Sequence, residues 1–216
     1  MLKHMREPIN GITHLIGAIL SLIALILMLL KVSSSNSSNI STYIASIAFG
    51  AGMILLYSAS ATYHSVISTD KIIKKLKKLD HSMIFILIMG SYAPFCLIAL
   101  HNTTGYILFT AVASACLLGI IFKLYWVTCP RWLSSTIYIA VGWFALFAIY
   151  PISKVLSPLG VFLLLFGGVL YTIGGVIYAL KKDKIKIGAF GSHEIFHIFI
   201  MLGTLSHFIA VYSYIL

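Results

Sequence analysis

The chain has 216 residues, 60% of them hydrophobic and only 9% charged, with a mean hydropathy of +1.03. Soluble domains carry about 25% charged residues, so the composition excludes an ordinary soluble fold and predicts one membrane domain over 1–216. The net charge of +10 invites a nucleic-acid partner, but the Lys and Arg fall in short loops between apolar runs, where they act as topology signals instead.

A helix crossing the bilayer core needs about 20 apolar residues. Seven runs meet that length: 9–30, 40–65, 81–100, 104–126, 132–150, 157–180 and 192–215. The segments between them, including 70–78, 151–154 and 181–191, read as loops. The first run follows Lys3 and Arg6 as a signal peptide would. Signal h-regions span only about 7–15 residues, so it is read as a retained helix. Thirteen of the fifteen Lys and Arg fall on one side of this arrangement, and only Lys31 and Lys154 on the other. The positive-inside rule then gives an all-α, seven-transmembrane helix bundle in the cell membrane, with its N-terminus cytoplasmic and its C-terminus outside.

The first helix carries Asn10 and His14 near the cytoplasmic depth, where His14 reads as a packing or supporting residue. The second ends in Ser60 and His64, four residues apart and on one face. The third begins at Asp80. His81, turned by about 100° from Asp80, reads as an interface residue, and Pro94 predicts a kink. In the sixth, Gly167 with Gly174 and Gly168 with Gly175 predict a small-residue packing stripe. The seventh opens with His193, Glu194 and His197, which puts two imidazoles on one face. His207 lies about 15 Å further along that helix, too far to join them. His4 and His101 read as solvent groups, and Asn36, Asn39 and Asn102 each begin an N-x-[ST] triplet. Cys96, Cys116 and Cys129 form no CxxC and suggest no disulfide framework.

Ionisable groups at bilayer depth are costly and mark functional sites. A lone buried histidine is more often a packing residue. Here, however, three separate helices bring three His, one Asp and one Ser to one layer. Three imidazoles with an open fourth position suit catalytic zinc, although iron or manganese also accept His and carboxylate ligands. The predicted ligands are His64, His193 and His197. Asp80 would touch the metal directly or through a water made nucleophilic at neutral pH, and Ser60 would support the developing charge. The pattern H-E-x-x-H at 193–197 also matches metalloproteases, with Glu194 as base. Phe85, Phe196 and Tyr63 are candidates to line an apolar cavity for lipid tails.

These motifs together resemble the hemolysin III family, the bacterial branch of the progestin and adipoQ receptor group. The resemblance rests on Asn10-Gly-Ile-Thr-His14, Ser60-x-x-x-His64, Asp80 followed by Gly90-Ser-Tyr-Ala-Pro-Phe95, and His193-Glu-Ile-Phe-His197, in that order. It implies a zinc ion near the cytoplasmic side held by His64, His193 and His197, with Asp80 close to its water and Ser60 in the motif serine's place. Related alkaline ceramidases imply hydrolysis of a lipid amide. The branch is named for hemolysis, with pore formation proposed, and has been linked to membrane lipid homeostasis. The expected function is therefore a zinc-dependent lipid amide or ester hydrolase with a membrane lipid as substrate. The alternatives are a pore-forming cytolysin, a zinc-stabilised sensor of membrane state, or an intramembrane protease.

Overall fold

A computed structural model describes residues 5–35, 39–180, 186–187 and 190–216. Seven helices in it are long and apolar enough to cross a membrane. They are α1 (Pro8–Ser34), α2 (Ile40–Ser65), α3 (Asp70–Leu100), α4 (Thr103–Tyr125), α5 (Arg131–Val155), α6 (Pro158–Ala179) and α7 (Ser192–Tyr214). A two-residue antiparallel ladder pairs Lys186 with Gly191 and Ile187 with Phe190, just ahead of α7. Lys3, His4, Asn36, Lys181, Lys182 and Lys184 lie outside the described residues, as does most of the segment expected to be a loop at 181–191.

Local chemistry sets the helix starts. Pro8 stands in the first turn of α1, where its missing N–H costs nothing. Asn39, Asn102 and Ser157 accept hydrogen bonds from the backbone N–H groups of Thr42, Gly105 and Gly160. The asparagines of two N-x-[ST] triplets are thus helix caps.

Helices face the membrane with their bulk. In α1, Leu15, Ile19, Leu22 and Ile26 are exposed on the outside of the bundle, while Asn10, His14, Gly17 and Ser21 are buried inside it. This pattern suits a lipid solvent, in which close packing of small and polar residues holds helices together. The chain is a multi-pass integral membrane protein.

Three expectations need correction. Residues 70–78 are not a loop but the first turns of α3, with Ile72 and Ile73 donating to the Thr69 carbonyl. Ile72, Ile73, Leu76 and Leu79 recur at helical spacing and the intervening lysines are good helix formers, so an amphipathic helix continues out of the apolar span. Asp80 consequently lies ten residues inside α3 and does not begin it. Residues 151–154 are also helical. After α-helical turns to Gly142, α5 tightens into a 3₁₀ stretch at Trp143–Ala148 and resumes as Ile149–Val155. Pro151 falls in the first turn of that last piece, where a proline is tolerated. The glycines of α6 form two stripes instead of one. Gly167 and Gly174 meet His207 and Phe199 of α7, whereas Gly168 and Gly175 meet Trp143 and Ile139 of α5. Every second small residue thus serves a different neighbour.

The irregularity expected at Pro94 takes the form of a π-helical end to α3, Phe95–Leu100. Proline lacks the N–H that would continue the α ladder, so the register widens beyond it. The turn closes at His101, whose φ of 40° is left-handed and whose N–H bonds the Cys96 carbonyl.

The core centres on Phe49, Met53, Tyr57 and Phe85, all nearly or fully buried. Phe85 fills the space left by Gly119 of α4, where a Cβ would fall inside the ring. It is a packing residue and does not line the cavity described below. Gly119→Val is expected to destabilise the bundle by about 1–3 kcal/mol through overpacking, read as a lower melting temperature in detergent.

Candidate metal centre

The three predicted imidazoles meet at the Lys-rich end of the bundle. His64 comes from the last turn of α2, and His193 and His197 from the first two turns of α7. One ring nitrogen from each lies within 4.8 Å of the others. Ring centroids are 5.0 Å apart for His64 and His193, 5.0 Å for His64 and His197, and 4.7 Å for His193 and His197.

The nitrogen chemistry fits a cation. His64 and His197 are buried, and His64 Nε2 and His197 Nδ1 have no hydrogen-bond partner. Buried polar atoms are rarely left unsatisfied without a reason. Two rings with an unsatisfied nitrogen, clustered with a third so that one nitrogen of each lies close to the others, form an arrangement that a metal ion takes. These three histidines can therefore bind a metal.

His64 is also held from behind. Its Nδ1 lies 2.7 Å from Glu7 Oε2. A carboxylate there selects the tautomer with the proton on Nδ1 and turns Nε2 toward the cluster. The hydrogen bond from His64 is the main reason the Glu7 carboxyl is pulled down to about 2. Glu7 in turn is fixed by the chain around it. Its N–H donates to the His64 carbonyl at 2.9 Å, and the Arg6 guanidinium donates to the Tyr63 carbonyl while lying 4.2 Å over the Tyr63 ring. Tyr63 therefore packs under Arg6 and not in a lipid cavity.

Both carboxylate oxygens of Glu194 accept hydrogen bonds from other groups. One of its oxygens accepts the Gly191 N–H at 2.9 Å, and the other accepts from Asn10 Nδ2 at 2.9 Å. Asn10 also reaches Glu7 at 3.2 Å, so one amide bridges the carboxylates of α1's approach and α7. Glu194 is a helix cap in this arrangement. Glu194→Gln is expected to keep the metal stoichiometry and cost about 1 kcal/mol of stability. Metal analysis alongside thermal melting checks both.

Asp80 and Ser60 are buried and border the same cavity as His193 and His197. His14 is stacked flat on His197, 3.6 Å between centroids and 7° from parallel. It supports the His197 ring, as expected of a packing role. His81 corrects an expectation: it is buried and borders the cavity, because the extra turns of α3 carry it inside the bundle. His207 lies apart, with Nε2 3.0 Å from the Leu164 carbonyl. Cys96, Cys116 and Cys129 are free thiols.

Lys123 is the larger surprise. Expected to flank the loop after the fourth helix as a topology charge, it is fully buried, with Nζ donating to Ser134 Oγ at 2.5 Å and Cys129 Sγ at 3.1 Å. Its place inside the apolar run 104–126 is the one local signal that sets it apart from the loop lysines.

The cavity is about 130 Å³ and is largely apolar. It extends from the histidine cluster past Phe196, Ile88 and Tyr92 to Leu164, Ile152 and His207. On α7 alone that run covers residues 193–207, about 21 Å of helix.

The sequence matches the model of the family described as Haemolysin-III related over residues 2–208. It is 37% identical to Hemolysin-3 of Bacillus cereus, covering 100% of this chain and 95% of that protein. It is 36% identical to a Hemolysin-3 homolog of Bacillus subtilis (strain 168), covering 96% and 93%. The chain therefore belongs to the haemolysin-III-related family of integral membrane proteins.

Proposed function

We propose that this protein is a zinc-dependent hydrolase of an amide or ester bond in a membrane lipid, with its site near the cytoplasmic face. The observation that carries the reading is the convergence of three imidazole nitrogens beside a buried carboxylate at the head of a long apolar cavity. Imidazole ligands suit zinc, and His64, His193 and His197 would hold it. Bound zinc supplies Lewis-acid polarisation of a carbonyl and lowers the pKa of a water to about 7.

The remaining chemistry belongs to the chain. Asp80 accepts the proton of the attacking water and returns it to the leaving nitrogen or oxygen. The Ser60 hydroxyl orients Asp80 or donates to the developing oxyanion. Glu7 fixes the His64 ring. The apolar walls take the acyl chain and keep bulk water from the carboxylate.

Zinc-loaded protein in detergent is expected to release fatty acid from at least one class of ceramide-like, acyl-amide or ester lipid. Full zinc occupancy with no release from any of these classes would sink the reading. The name of the Bacillus cereus relative favours a second reading, membrane lysis. Liposome leakage separates the two: a pore would leak equally with wild type and His193→Ala.

A further inference from the structure

The cavity has a second polar corner, on the wall of α3 and α5. His81 Nδ1 and Ser135 Oγ are both buried without a hydrogen-bond partner. Their residues are 7% and 3% exposed, and both border the cavity. The Tyr138 hydroxyl donates to the His81 carbonyl at 3.0 Å, so this side of the wall is pinned in place.

Cations surround the corner. Lys123 Nζ lies 5.6 Å from the Tyr138 ring, and Tyr138 itself borders the cavity. The Arg131 guanidinium lies 5.5 Å over the ring of Tyr178, another wall residue. Lys77 lies within the electrostatic reach of Arg131, Lys123 and Asp80. Among the described residues no carboxylate forms an ion pair with Lys123; its hydrogen bonds go to Ser134 and Cys129. Three cations, the buried Lys123 and the half-buried Lys77 and Arg131, thus lie near one buried acid, Asp80. Low dielectric magnifies such an imbalance, and an anion entering the corner would offset it.

We infer that His81 and Ser135 form a headgroup subsite that receives the phosphate of a lipid whose acyl chain lies in the apolar cavity. This rests on the proposed function, since it takes the cavity to be the lipid chamber of the hydrolase. His81, as the Nδ1–H tautomer, and the Ser135 hydroxyl donate to phosphate oxygens. Lys77, Lys123 and Arg131 supply the field. A neutral headgroup would leave that field uncompensated, so the substrate class narrows from any lipid amide or ester to those bearing phosphate.

The test is direct binding of 1-oleoyl lysophosphatidic acid and of 1-oleoylglycerol to the full chain in nonionic detergent, by native mass spectrometry. The phosphate lipid is expected to bind at least about tenfold more tightly. Ser135→Ala and His81→Phe, which leave the surface charge unchanged, are each expected to remove most of that preference. His193→Ala is expected to keep it, because the preference does not run through a metal. Millimolar inorganic phosphate alone is expected not to displace the lipid. Equal binding of the two lipids, a preference that survives Ser135→Ala and His81→Phe together, its loss in His193→Ala, or displacement by free phosphate would each overturn the inference. Melting temperatures of the variants verify that they are folded. Failure of the hydrolase reading shows separately, as zinc-loaded wild type that turns over no lipid while the binding preference persists.

Discussion

Asp80→Asn is expected to keep about wild-type metal content while lowering lipid turnover by roughly 10²–10⁴-fold. His193→Ala is expected to lose the metal itself. The two variants separate because their groups sit differently. The His193 nitrogen is one of the three that converge within 4.8 Å, so removing it opens the site. Asp80 borders the cavity beside Ser60, where asparagine preserves shape and hydrogen bonding but accepts no proton. Elemental analysis and a fatty-acid release assay on the same preparations read both effects. Metal loss in Asp80→Asn would make Asp80 a ligand. Unchanged turnover with full metal would instead remove Asp80 from the proton transfer.

The second large effect falls on a residue outside the membrane spans. Glu7→Gln is expected to weaken metal binding by about 10–100-fold, the usual consequence of removing the carboxylate behind a metal-binding histidine. Glutamine keeps an acceptor near His64 Nδ1 but loses the charge that raises the basicity of the ring. Competition with a chromogenic zinc chelator measures the affinity directly. Wild-type affinity in Glu7→Gln would mean that the 2.7 Å contact holds the N-terminal segment in place without tuning the metal.

The contrast between Glu7 and the histidines shows which kind of information a sequence carries. The seven spans were legible because lipid imposes a length and a composition on each. α2 begins and ends where its apolar run does, at Ile40 and Ser65. The cluster of His64, His193 and His197 was legible because helix direction fixes depth, and spacing by four fixes the face. Glu7 had no such signal. Its partner is 57 residues away, and the contact depends on how the N-terminal segment folds back over the end of α2. The lysines of 70–78 misled in another way. They read as a break between helices, yet α3 runs straight through them. The burial of Lys123 depends on the Cys129–Ser134 turn closing over it, a tertiary event that leaves no periodicity behind.

The slot that runs from the histidine cluster to His207 has a fixed depth, because rigid helices form its walls and the rise per residue sets its length. For an acyl chain lying along it, each methylene inside contributes about 0.8 kcal/mol of transfer free energy. That gain stops at the end of the slot, whose lining reaches Leu164, Ile152 and His207. Beyond this point a longer chain must bend or force apart close-packed side chains, which costs more than the extra methylene returns. Affinity should therefore climb steeply with chain length and then break off within one or two carbons. The bundle would act as a ruler, discriminating between fatty acids that share every functional group.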